Sequence, residues 1–496
     1  MFHTGGTTSL RTTCATLTVV LLAGAGPAAA AEAPVDSPQE WTQYRLTPEK
    51  NPVIETDGSV VPAEDGFELP DEVRATPVVV GDRLYVGTHG SGTLHAFDLA
   101  TGEQLWQAQA PNWIHSEMLV SEGTVYVGYG DRGQERGDGL RGDGPGGVLA
   151  LDAETGEQKW EYPVGAHVMP TPVLHDGRLH AATGDRHLHV IDAGTGEGLE
   201  RVDVGAVMSM SAPAAADGML YTGAFDGGPR VIGYDMDARE TAWTTALPDV
   251  QSGLDDVPPA VSEGIVVTTS HRDIVPAEQL EHWAHALSAD TGEVLWELRL
   301  GDGPFVPNNK SGAPTIADGV VYVGSPTTGT LYALDLRTGE ELWSHDSGSV
   351  KAAPVVVDGH VVYTTTQGEI GALDAGTGAL VGSVQLSDQP LAPAGPIVVD
   401  DVLLVPGQDG MVHPLALAEL TGSAGDESAA GADGTDGPDD AADAGDAGDE
   451  AAGAGGAADT GAPGGGLLGP ALAGLLGVGL LGALAVLLVR RRYAAH

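Results

Sequence analysis

From Ala75 to Leu417 the apolar residues come in short bursts, each about four to seven β-branched and aromatic side chains long, broken by Asp, Gly and Thr with almost no helical period. Bursts of that length bounded by turn residues predict strands. They recur in a fixed order. A Pro-led apolar run such as Thr76-Pro77-Val78-Val79-Val80 or Ala353-Pro354-Val355-Val356-Val357 comes first, then an Asp-Gly turn at Asp176-Gly177, Asp217-Gly218, Asp318-Gly319 and Asp358-Gly359. Asp-Gly between two apolar runs signals a tight hairpin, because both central residues need positive φ. A Val- and Tyr-rich strand follows, and a third strand ends in Asp-x-x-Thr-Gly, where the Asp side chain accepts backbone N–H groups and Gly takes the left-handed position. The fourth strand carries a Trp.

The phrase is clearest in Leu94 to Trp106, Val148 to Trp160, Ala284 to Trp296 and Leu331 to Trp343, with looser copies ending near Glu200, Trp243 and Gly382. The turn-opening residues Asp98, Asp152, Asp192, Asp235, Ser288, Asp335, Asp374 and Ala416 are 54, 40, 43, 53, 47, 39 and 42 residues apart. Such spacing suits one four-stranded blade per repeat. Eight marks predict an all-β, eight-bladed β-propeller with antiparallel blades.

These residues resemble the PQQ-like (pyrroloquinoline-quinone-type) β-propeller repeats, over roughly Trp41 to Leu417 and through the pattern A-x-D-x-x-T-G-x-x-x-W. That resemblance implies the architecture more than an activity. Its members include quinoprotein alcohol dehydrogenases and also cofactor-free propellers, among them an outer-membrane assembly lipoprotein and kinase sensor domains. An enzyme of this type would hold pyrroloquinoline quinone and calcium on the axis through Glu, Asn and Asp, and Glu117, Asn308, Asn309, Asp255 and Asp256 are of the right kind, with Trp113 as a stacking platform. The chain departs from the enzymes in three ways: its mature part has no cysteine, it shows no recognisable Trp-docking pattern, and it has no sequence left for substrate-capping elements.

A ring must close or leave strand edges bare. The eighth unit supplies only Pro396 to Val399, Val402 to Val405 and Met411 to Leu417, so its outer strand is expected from Gly66-Phe67-Glu68-Leu69. The segment Trp41 to Arg45 is expected to pack outside the ring.

Composition adds a compartment. Arg11, an uncharged stretch to Gly26 and the small residues Ala28 to Ala31 read as a secretory signal over 1–31. A lead-in segment is expected over 32–63, the propeller over 64–420, an acidic Gly/Ala/Asp linker with too little apolar surface to fold over 421–463, a membrane-spanning helix over 464–489 and a basic tail over 490–496. Arg490-Arg491-Arg492 would place that tail in the cytoplasm and the propeller outside. The order Ala457-Ala458-Asp459-Thr460-Gly461, apolar span, Arg cluster resembles a Gram-positive cell-wall sorting signal, although Ala457 stands where the signal has Leu. A plain single-pass anchor is the alternative.

With 70 acidic and 22 basic residues the net charge is −48, which argues against nucleic acid or an anionic bilayer surface as partners. The only cysteine, Cys14, falls within the signal, so the exported part has no thiolate site. His95, His189, His285 and His413 share the slot of Tyr332, which reads as repeated packing and not as metal ligation. The insertion Gly130 to Gly147 carries Asp131, Glu135, Asp138 and Asp143 without the spacing of a calcium loop, and a solvated loop is the simpler reading.

The irregular sequence gathers on the face that carries the links between blades. Candidate ligand residues there are Trp113, His115, Glu117, Met208, Asp255, Asp256, Asn308, Asn309 and Lys310; the aromatic and Met residues either anchor a partner or plug the axis. No residue set reads as catalytic, cofactor-binding or metal-ligating. The expectation is a monomeric, non-catalytic, cofactor-free surface module that binds a protein or an envelope glycan, with a quinone- and calcium-dependent dehydrogenase as the alternative.

Overall fold

The computed structural model describes residues 44–131, 133, 141–142, 144–225, 228–274, 279–304 and 311–422. Among these the strands form eight sheets, one per repeat, each of four antiparallel strands in sequential order, with a fifth strand added in the last. In blade 1 the strands are Val78–Val80, Arg83–Gly87, Thr93–Asp98 and Gln104–Gln109, from the axis outward. Blades 2 to 7 repeat this order, starting with Leu119–Ser121, Val173–His175, Ala214–Ala216, Ala260–Ser262, Pro314–Ala317 and Val355–Val357. Blade 8 is built from Ile397–Val399, Val402–Pro406 and Met411–Ala416, and its outer strand is Phe67–Glu68 from the other end of the sequence.

The turn chemistry follows from the residues. At Asp176-Gly177, Asp318-Gly319 and Asp358-Gly359 both φ values are positive, at 47° and 70°, 49° and 75°, and 48° and 73°. In the other turn, Asp98 Oδ1 accepts both the Thr101 amide and the Thr101 hydroxyl at 2.8 Å. The same pair recurs at Asp335 with Thr338, again at 2.8 Å for both bonds.

Contrary to the sequence expectation, the tryptophans dock, each on the following blade. Trp106, Trp160, Trp243, Trp296 and Trp343 donate their indole N–H to the backbone carbonyls of Ala153, Ala193, Ala289, Leu336 and Ala375 at 2.8–3.0 Å. The ring of each lies over the turn glycine of that blade. At Gly156 and Gly339 a Cβ would come within 2.7 Å of the indole, and φ is +72° at both, so only Gly fits. The pattern escapes a reading of single repeats because donor and acceptor belong to different ones.

Three seams lack the Trp. Between blades 3 and 4 its slot holds Glu200, which faces Arg239 at 3.9 Å, and Arg239 sits in the left-handed region (φ 58°) where Gly is no longer required by an indole. Between blades 7 and 8 the slot is Gly382, covered by the short helix Leu417–Thr421. At the closing seam Phe67 packs edge-on to Phe97 at 5.5 Å, and the Ala63 amide donates to Leu99 at 2.8 Å, the carbonyl position an indole uses elsewhere.

Tyr44 and Arg45 do not pack outside: both are buried, and Tyr44 to Thr56 runs down the centre of the ring, while Trp41 to Gln43 lie outside the described residues. Val53–Ile54 pairs in parallel with Val398 and Val399 as the fifth strand of blade 8. The physical reason is a row of unpaired amides on the inner strand edges, which the segment satisfies. In blade 5 the paired strands Ile265–Ile274 and Gln279–Ser288 are longer than in the other blades.

Among the described residues no helix is long and apolar enough to cross a membrane. The signal, the acidic linker, the apolar span, the basic tail and the sorting motif Ala458, Asp459, Thr460 and Gly461 lie outside the described residues, as do Asn308, Asn309 and Lys310.

Candidate functional site

Links between blades converge around the axis into a narrow funnel of about 60 Å³. Among the described residues seven links reach it: Arg74 before blade 1, His115 and Glu117 before blade 2, Met169 and Thr171 before blade 3, Met210 before blade 4, Asp256 before blade 5, Lys351 before blade 7 and Pro393 before blade 8. Tyr44 forms the floor.

Glu117 is buried and turned inward. Its Oε2 accepts the Thr171 hydroxyl at 2.6 Å, and its Oε1 faces the Thr76 amide at 3.4 Å. Burial raises its pKa, opposed by the hydrogen bonds from Thr171 and Thr76 and by the nearby Arg45 guanidinium. The Tyr44 phenol lies beside the same carboxylate; burial first, and then that negative charge, push it up.

The two aspartates diverge. Asp256 Oδ2 lies 3.4 Å from Lys351 Nζ on the wall of the funnel. Asp255 instead faces Arg141 at 3.6 Å, and its carbonyl accepts the amides of Met210 and Ser211. His115 stands beside His89, ring centroids 5.0 Å apart, and its pKa is held well below the ordinary imidazole value by burial and by the positive side of the funnel, His89, Arg74 and Lys351. Trp113 lies on the rim, 38% exposed, with its ring 5.1 Å from that of His89.

The structure thus brings His115, Glu117 and Asp256 together, sets Trp113 and Asp255 beside them, and removes Met208. That methionine is 0% exposed and packs in the core with Val173, Leu188 and Ile232. Its neighbour Met210, facing the other way, lines the funnel. Sequence reasoning missed Tyr44 and Arg74; a cation in an inter-blade link of a chain with only 22 basic residues was a usable signal.

The four repeated histidines do not meet. His95 is bonded by Gln104 and Thr93, His189 by Tyr162 and Asp185, His285 by Glu297 and Ser270, and His413 by Asp409, each in its own blade or at its own seam. A quinone held with calcium on the axis does not fit the residues present. The space under the funnel is filled by Arg45 to Ile54, Glu117 is engaged by Tyr44 and Thr171, and among the described residues no three His, Cys, Asp or Glu side chains converge as metal ligands.

The family described as outer membrane protein assembly factor BamB matches over residues 39–162, 139–199, 188–324 and 280–439. The tetrathionate hydrolase of Acidithiobacillus ferrooxidans is 28% identical over 295 residues, 55% of this chain and 59% of that protein. The outer membrane protein assembly factor BamB of Burkholderia pseudomallei is 28% identical over 271 residues, 52% of this chain and 65% of that protein. The chain thus spans less than two thirds of the length of either relative. Among solved structures, the quinohemoprotein alcohol dehydrogenase of Comamonas testosteroni superposes with a TM-score of 0.55 at 15% identity, covering 74% of this chain and 76% of that one. At that identity the likeness is one of fold.

Proposed function

The chain belongs to the PQQ-type repeat family of outer membrane protein assembly factor BamB, and from that premise we propose that it is a non-catalytic binding module displayed outside the cell. The funnel face meets the partner, a protein of the envelope, and no cofactor takes part. One observation carries this reading: the position on the axis that a cofactor would need is filled by Tyr44, Arg45 and the residues after them, with the Arg45 guanidinium held by the Ala353 and Pro396 carbonyls. What is left above Tyr44 is an amphipathic recess, with Met169, Met210, Pro258 and Pro393 set between Arg74, Lys351 and Asp256. Apolar side chains ringed by charges suit recognition of a polypeptide surface. Trp113, exposed on the rim and backed by His89, is the natural anchor.

Export through the leader at 1–31, anchoring through the apolar span at 464–489 and cleavage at the Thr460-Gly461 step belong to the same proposal. A quinone-dependent dehydrogenase is not favoured, because its cofactor would have to displace the buried Arg45.

The test is a photo-crosslinking amino acid placed at Trp113 and, as a control, at Leu342 on the outer rim of the full chain in its own cell envelope. One protein crosslinked from 113 and not from 342 is the expected result. Dye reduction with an alcohol after loading pyrroloquinoline quinone and calcium would overturn the reading.

A further inference from the structure

Inner strands of a propeller turn one edge toward the axis, and an amide left bare there is buried without a partner, a cost of about 1–3 kcal/mol each. In each of blades 5 to 8 such an amide meets the lead-in segment. Val261 N donates to Pro48 O at 3.0 Å, Ile316 N to Glu49 O at 3.2 Å, and Val398 N to Pro52 O at 3.0 Å. Asn51 treats blade 7 as a strand would, accepting from Val356 N at 2.8 Å and donating to Val356 O at 2.9 Å.

Side chains add selectivity. The Arg45 guanidinium spans the carbonyls of Ala353 and Pro396 at 2.8 and 3.0 Å, and Lys50 Nζ reaches Pro213 O at 3.2 Å under the Tyr44 ring. The segment is also held against its own preference: Arg45, Leu46 and Lys50 sit at φ values of 55°, 65° and 63°. Left-handed backbone at non-glycine residues costs about 1–3 kcal/mol each and persists only where the surroundings impose it. These are the marks of a bound peptide, turned at its start and strand-like at Val53–Ile54, in a groove that reads both main chain and side chains. Its tether to the ring, Asp57 to Ser59, is exposed, and nothing lies near Gly58.

We propose that the axial channel lined by blades 5 to 8 is a peptide-binding site, filled in cis by residues 44–56 and able to accept the same segment of a second copy of this chain. Exchange requires only that the segment leave the channel while Phe67–Glu68 keeps the ring closed. The inference is independent of the reading of the funnel as a partner-binding face.

The experiment uses the full chain with a protease site inserted at Gly58. After cutting, a fluorescent synthetic peptide of residues 44–57 is added and anisotropy followed. Saturable binding is expected, weakened at least tenfold when the peptide carries Arg45→Ala and Asn51→Ala. A second arm leaves the chain uncut but gives it those two substitutions, so that the wild-type peptide competes with a weakened cis segment; binding is expected there as well. A third mixes two distinguishable full chains near their melting temperature and looks for mixed dimers by native mass spectrometry. Absence of saturable binding in both peptide arms, or equal binding of a scrambled peptide, overturns the site. Peptide binding without mixed dimers overturns the exchange between copies.

Discussion

The rim and the hub of this ring hold the blades together by opposite means. At the rim one device repeats: an indole N–H donated to the next blade and a glycine beneath the ring, present at five of the eight seams. At the hub a single segment with no internal repeat supplies different groups to the blades, and among the described residues it meets inner-strand amides of blades 5 to 8. Repeated contacts fix the number and pitch of the blades. The unique segment decides which side of the axis is filled, and so where a recess remains.

The sharpest way to break this comparison is at the closing seam, where rim and hub belong to one stretch of chain. Phe67→Ala empties a fully buried site against Phe97 and is expected to cost about 3–5 kcal/mol, read as a lower urea midpoint.

Acid should find one of the seams that lack a Trp. His180, buried against Tyr234 between blades 3 and 4, has its pKa lowered to about 4, by burial first and then by the charge of His175. A depressed histidine pKa means that the unfolded chain takes the proton first. Stability is therefore full above the ordinary value near 6.5 and falls as the pH drops from there toward 4, by on the order of 3 kcal/mol in total. His180→Phe should flatten that part of a stability–pH curve; an unchanged slope would remove His180 from the account.

Gly339→Ala tests a Trp-docked seam. It places a Cβ 2.7 Å from the Trp296 ring at φ +72°, for an expected loss of about 2–3 kcal/mol in thermal or urea unfolding. At the hub, Asn51→Ala strands the Val356 amide and carbonyl and should cost about 1–2 kcal/mol, with the blades otherwise intact by circular dichroism. The smallest effect is expected of Arg239→Gly, which restores the repeat's glycine where no indole needs it; a change within about 0.5 kcal/mol by urea unfolding is predicted. A large loss there would mean that the ion pair with Glu200 replaces the indole in strength as well as in place.

Most of the rim was legible in the sequence. The Asp-x-x-Thr-Gly and Asp-Gly phrases fixed the strands, and the shortfall in blade 8 pointed to Phe67–Glu68 as the closing strand. The docking of the indoles was not legible, because Trp296 and its glycine Gly339 belong to successive repeats and only the ring brings them together. The hub was hardly legible at all. Residues 44–56 have neither the period of a strand nor a repeat to align with, and their partners are backbone amides, which no residue type advertises. The links are irregular, and this explains the mixed result for the candidate residues: Met208 enters the core while Met210 reaches the funnel, and Asp255 and Asp256, adjacent in a turn, pair with different cations.

The last described helix, Leu417–Thr421, lies against the outer strand of blade 7 at Gly382, although the strand before it belongs to blade 8. A pull applied beyond Gly422 therefore reaches this small latch before it reaches any sheet. Load directed away from the disk would unzip a few weak bonds in turn, whereas load along the outer strand would have to shear them together. The ring's mechanical strength is then set by the direction of the tether, and a force-spectroscopy trace should show a low first rupture that vanishes when the chain is pulled from residue 416 instead.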